Sequence, residues 1–302
     1  MCKLILKCRV ITPMFMAGAD GRTPELRPSE FKGMMRWWWR AIRAENDIKK
    51  LKEDEAKIFG GTGEGVGKSK VKIKINTALD DSDIIDYQPL PHHIRNNCPV
   101  DNQSRCRKAF TLKAIGPGKE IEIEFSIPSL ENQNLILEIQ NLIFLTFVLG
   151  GFGKRSRRGF GSLHIINPEI KINLENILQF LNRIENTYEI NNSSINSSIK
   201  AIINKKKTSG NYPWIKEIIL GRNKEFNNFD EILKKIGMAS HNHSDPSLGD
   251  ANPRMASPIY VSVVEIQNKL IPIITLLNSS FPQNYPRWNI NKQKDFIKEL
   301  VL

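Results

Sequence analysis

The sequence predicts an α+β fold, and three features of its 302 residues predict it. Segments that alternate polar and apolar residues at strand period are interleaved with segments of helical character. Strands and helices follow one another along the first half without segregating into blocks. The length and a 40% hydrophobic content suggest two domains, each able to bury a core.

In chain order, Leu4, Leu6, Cys8 and Val10 alternate with Lys3, Ile5, Lys7 and Arg9, which is a strand. Pro13 and the Gly18/Gly21 region break it. Pro28 and Ser29 open a helix reaching about Ala44, with Glu30 favourably placed in its first turn. A second helix, about Lys49 to Phe59, stops at Gly60 and Gly61. Lys70 to Ile75 alternates again, and Asn76 to Lys113 reads as an irregular excursion. Glu120 to Ile127 is a strand with Ile121, Ile123 and Phe125 on one face, and Pro128-Ser129 starts a helix reaching Leu149. After a glycine-rich run, Ser162 to Ile166 is a short strand closed by Asn167-Pro168.

The order strand, helix, strand, strand, helix, strand is the ferredoxin-like (RRM-like, βαββαβ) arrangement, with its helices on one sheet face. The open face, or a groove beside it, commonly receives RNA in such folds. The second half is harder to read. Helices are expected at Asn173 to Ile184, Asp230 to Ile236 and Lys292 to Leu302, and a hairpin at Ile259 to Ile266 and Leu270 to Leu277. Asn186 to Ser198 reads as an Asn/Ser-rich stretch and His241 to Asn252 as a polar loop. The expected division is residues 1–166, ferredoxin-like, and 167–302, a divergent and more helical copy.

The chain carries 44 Lys+Arg against 32 Asp+Glu, a net +12. Of these, 27 basic and 19 acidic residues precede Ile166. Such an excess implies an anionic partner, nucleic acid or a membrane surface. Met1 to Val10 alternates instead of forming a secretory apolar run. The longest apolar stretch, Leu142 to Phe152, is about half the ~20 residues of a spanning helix. Cys2, Cys8, Cys98 and Cys106 are too scattered for a disulfide framework. The expectation is a reduced, cytoplasmic protein without a membrane partner.

The run Gly150 to Gly161 holds five glycines, four basic residues and no acid. Gly151, Gly153 and Gly159 would let backbone N–H groups approach an anion, and Lys154, Arg155, Arg157 and Arg158 would neutralise it. A phosphate backbone suits such a loop; the alternative is a solvated basic hairpin. Lys32, Arg36, Arg40 and Arg43, spaced four, four and three apart, share one helix face, and Arg27 could extend it. Like charges at such spacing cost about 0.2–0.5 kcal/mol per pair, which an anionic partner would offset. The alternative is a merely solvated face.

Other constellations are weaker. Gly60 to Ser69 lacks the glycine a Walker A loop needs at Thr62, and it follows a helix instead of a strand. A nucleotide-driven regulator is therefore not expected. His92, His93, Cys98 and Cys106 match no zinc spacing. His241, His243 and Asp245 could face one side of an extended loop, but a metal would need a further ligand. His164 could serve as a general base on a ribose hydroxyl, with no matching acid in view.

With these residues the chain resembles the RAMP superfamily of CRISPR proteins, and within it the family of first subunits of type III-B (Cmr) effector complexes. The residues that carry the resemblance are Ile11 to Gly18, Glu25 to Arg40, Ile58 to Gly60 and the loop Gly150 to Gly161, with Arg254 to Pro258 matching more weakly. The resemblance implies two ferredoxin-like domains and a non-catalytic subunit. It would engage the guide RNA 3′ region and target RNA beside other Cmr subunits, with no cofactor and no metal. Lys154, Arg155, Arg157 and Arg158 would then grip phosphates, and Arg27, Lys32, Arg36, Arg40 and Arg43 would form the adjoining face. The alternative is a metal-independent endoribonuclease that processes precursor guide RNA.

Overall fold

Alternation sets the first sheet. In the computed structural model, residues 2–62, 67–90, 110–128, 132–205, 212–221, 224–278 and 288–302 are described. Strand β1 (Cys2–Val10) buries Leu6, Cys8 and Val10 and turns Lys3, Ile5 and Lys7 outward. Helices α1 (Pro28–Arg43) and α2 (Ile48–Phe59) follow, then β2 (Lys72–Ile75), a ribbon of β3 (Ile84–Tyr87) and β4 (Leu112–Ile115), and β5 (Glu120–Ile127). Helix α3 (Gln133–Leu149) and β6 (Leu163–Asn167) complete the half. The sheet order is β2-β5-β1-β6, antiparallel throughout.

Helix α3 decides how the halves meet. Its sequence is apolar almost all round, and a helix of that kind belongs inside. It packs on α1 and on α4 (Leu174–Ile184), and it reaches β6 and the second sheet. That sheet comprises β7 (Tyr188–Asn192), β8 (Lys200–Asn204), β9 (Ile215–Leu220), β12 (Ile259–Ile266) and β13 (Lys269–Leu277), in the order β12-β13-β9-β8-β7. Strand β12 is buried on both faces. Tyr260 and Val264 join the core shared with the first half, while Ile259, Val261 and Val263 join one with α5 (Phe229–Asn242) and α6 (Ile290–Val301). A small pair, β10 (Asp250–Ala251) and β11 (Arg254–Met255), precedes β12. Among the described residues, no helix is long and apolar enough to cross a membrane.

The structure corrects the expected elements in four places. The excursion after β2 contains the β3–β4 ribbon, whose strands are too short to show a period. Helix α3 begins at Gln133, where the Asn132 side chain caps the Asn134 N–H, and not at Pro128. Helix α5 runs on through His241 to Asn242. The second half is organised by a five-stranded sheet instead of being more helical. Strand β9, between two neighbours, breaks alternation with the charged pair Lys216-Glu217 ahead of buried Ile218 to Leu220, and β7 carries two asparagines that local preference disfavours.

Candidate nucleic-acid interface

The glycine-rich loop is pinned along its main chain. The Gly151 N–H donates to the Tyr260 hydroxyl at 3.2 Å, that of Gly153 to Glu30 Oε1 at 3.1 Å, and that of Gly159 to the Val261 carbonyl at 2.8 Å. Phe152, Lys154 and Gly161 donate to the carbonyls of Gly161, Phe15 and Pro13. Gly151, Gly153 and Gly159 therefore have no N–H to offer an anion, contrary to the cradle their composition suggests. Their role is close packing. A Cβ on Gly153 would lie 2.5 Å from the Phe15 main chain, and φ is +85° there.

The four loop cations separate into two pairs. Lys154 and Arg155 are exposed and have no carboxylate partner among the described residues; Lys154 Nζ donates to the Gly21 carbonyl at 2.6 Å. Arg157 lies over the rings of Trp37, at 5.3 Å, and Tyr260, at 5.9 Å, and donates to the Ser257 carbonyl. Arg158 donates to the Leu248 carbonyl at 2.8 Å and Ser257 Oγ at 3.1 Å and stacks on Phe296. Burial, with Arg157 and Arg155 nearby, pushes the Arg158 pKa down to about 10, so it stays charged at neutral pH. Arg157 and Arg158 thus fasten the loop to the second half, a use the sequence reading did not foresee.

The helix row changes meaning too. Buried Glu55, on α2, sits between Arg36, at 2.6 Å, and Arg40, at 2.9 Å. Arg43 donates to the Ile184 carbonyl at 2.8 Å and lies 3.4 Å from Glu185. Lys32 donates to Ser69 Oγ, and burial followed by the Arg36 charge lowers its pKa. The repulsion inferred from spacing is offset within the fold, not by a solvated face or a required partner. Arg27, half-buried, has no carboxylate partner among the described residues. Replacing Glu55 with Gln is expected to cost about 2–3 kcal/mol, read as a drop in the denaturant midpoint. That is below the ~3–5 of a fully buried pair, because both guanidinium groups keep about 40% of their surface in water.

Beside Lys154 a cleft of about 350 Å³ opens toward the β3–β4 ribbon, lined by Arg22, Asp86, Lys113 and Phe15 among others. Phe110, the chain neighbour of the lining residue Thr111, has Arg155 5.9 Å from its ring centroid. Sequence reasoning missed Arg22, Phe110 and Lys113. The available signal was an aromatic residue set among Arg105, Arg107, Lys108 and Lys113.

The remaining candidates disperse. The outer face of the first sheet pairs Lys3 with Glu124 and Lys7 with Glu120, and among the described residues it presents no Phe, Tyr or Trp for a base. His164 lies opposite Arg9 in the β1–β6 register, in a cleft of about 680 Å³ that also holds Glu265. Arg9 grips both oxygens of Glu265, at 2.8 and 3.0 Å, so that carboxylate is engaged within the fold. Burial lowers the His164 pKa, and its Nδ1 has no hydrogen-bond partner. His243 bonds Glu299 at 2.7 Å and Asp245 caps the turn at Ser247, so the pair diverges. Among the described residues no group of three His, Cys, Asp or Glu could hold a metal; His92, His93, Cys98 and Cys106 lie outside them.

Comparison with known proteins places this geometry. The RAMP superfamily model matches residues 7–164. The CRISPR system Cmr subunit Cmr1-2 of Pyrococcus furiosus is 32% identical over 182 residues, 55% of this chain and 96% of that protein. The Cmr subunit Cmr1-1 of the same organism is 29% identical over 164 residues, covering 49% of this chain but 43% of that protein. The crystal structure of apo Cmr1 from Pyrococcus furiosus matches with a TM-score of 0.63 at 20% identity, covering 99% of this chain and 97% of that one. A chain of the cryo-EM structure of the type III-B Cmr-beta complex bound to cognate target RNA matches at 0.57 and 14% identity, covering 98% of each chain. The shared fold is a mixed α+β one.

Proposed function

This chain belongs to the RAMP superfamily, and from that premise we propose that it is an RNA-binding subunit of a type III-B Cmr effector complex. In this reading it engages the guide RNA 3′ region or the target RNA beside other Cmr subunits, in the cytoplasm, and cuts neither. The observation that carries the proposal is the pair Lys154 and Arg155, held out on a loop pinned through the N–H groups of Gly151, Gly153 and Gly159, beside Arg22 and Lys113. Rigid placement of uncompensated cations favours a phosphate backbone over a diffuse counter-ion cloud. Arg27 and Lys32 adjoin this surface in the proposal. Arg36, Arg40, Arg43, Arg157 and Arg158 contribute positive field while their donors serve the fold.

The matches to Cmr1-2 and to a chain of an RNA-bound Cmr assembly support the same reading. The absence of chemistry is inferred from His164, whose neighbour Glu265 is held by Arg9 and whose Nδ1 lacks an orienting partner. We also read residues 1–166 as ferredoxin-like on the sheet order β2-β5-β1-β6, and 167–302 as a divergent second domain sharing its core. The test is binding of the purified chain to single-stranded RNA over a salt series, with end-labelled repeat RNA incubated in parallel with and without chelator. Binding that weakens linearly in log salt supports the proposal. Salt-independent or absent binding, or sequence-specific cleavage, would replace it.

A further inference from the structure

We propose that the cleft between the glycine-rich loop and the β3–β4 ribbon seats one unpaired nucleobase on the exposed ring of Phe110, with Arg155 beside the ring and Arg22, Lys113 and Lys154 taking the flanking phosphates. This rests on the RNA-binding reading above and names the part of the strand the surface contacts. Phe110 keeps 41% of its surface in water, among the few large apolar side chains left outside the cores. A flat ring left exposed beside cations is the arrangement on which single-stranded bases stack in a sequence-tolerant way.

Arg155 is aimed at that ring, not scattered around it. Its backbone takes φ 62°, a left-handed conformation that costs a non-glycine residue, and the Arg158 N–H fixes it by donating to the Arg155 carbonyl at 2.8 Å. The cleft is lined by three cations against one acid, Asp86, whose contact with Lys113 is long at 3.9 Å and well exposed. A net positive cleft with an exposed aromatic ring one residue beyond its lining residue Thr111 fits a nucleotide better than an acidic peptide, which has charge but no face to stack.

The full chain is titrated over ionic strength with single-stranded oligouridylate and with an abasic ribose–phosphate strand of equal length. Phe110→Ala is expected to weaken binding of the base-bearing strand about 5- to 150-fold. The salt slope and the affinity for the abasic strand should stay unchanged, and Phe110→Tyr should keep the binding. Equal loss on both strands, or no loss on either, overturns the inference. If Phe110→Ala changes nothing while Lys154→Ala flattens the salt slope, only the base seat falls. If the unaltered chain shows no salt-dependent binding, the RNA reading falls with it.

Discussion

The double variant Lys154→Ala/Arg155→Ala is expected to bind single-stranded RNA about 10- to 100-fold more weakly at low salt, with its melting temperature unchanged. Each phosphate contact to a single strand contributes about 0.7 to the slope of log affinity against log salt, so losing two lowers the slope by about 1.4. Neither side chain is part of a core or an ion pair among the described residues, and the fold loses only surface contacts, the Lys154 bond to the Gly21 carbonyl and the Arg155 contact with Phe110. A filter-binding series at several salt concentrations measures the slope directly. An unchanged slope would remove this loop from any nucleic-acid interface.

Arg158→Ala is expected to do the opposite: a large loss of stability that is not first a loss of charge contacts. Removing the guanidinium strips a donor from the Leu248 carbonyl and from Ser257 Oγ, and it opens a gap against Phe296. Ser257 Oγ keeps the Ile259 N–H, but the Leu248 carbonyl left without this donor costs about 1–3 kcal/mol before the cavity is counted. The combined cost is about 3–5 kcal/mol. At roughly 2–4 °C per kcal/mol for a chain of this size, the melting temperature falls by about 6–20 °C. Calorimetry checks it. A drop below 2 °C would mean that Arg158 is not the clamp between the loop and the second half.

These two outcomes separate residues that the sequence places in one run. Composition alone treats Lys154, Arg155, Arg157 and Arg158 as equals, four cations within five positions. The fold sends two outward and two inward because Ser257, Leu248 and Tyr260, about a hundred residues away in the chain, come to lie under the loop. The same holds on α1, where Arg36 and Arg40 find Glu55 and Arg43 finds Glu185.

What the sequence by itself determined is local. It set the order of the first half's helices and of the strands in its main sheet, and the basic glycine-rich run between a buried helix and an edge strand. Those features follow from periodicity and backbone preference over a few neighbouring residues. Only the tertiary structure decided the strands from Tyr188 to Leu220, the ribbon that walls the cleft, and which cations remain without a counter-ion. Sheet pairing and ion pairing join residues far apart in the chain. Their energies depend on distance in space, which no spacing along the sequence encodes.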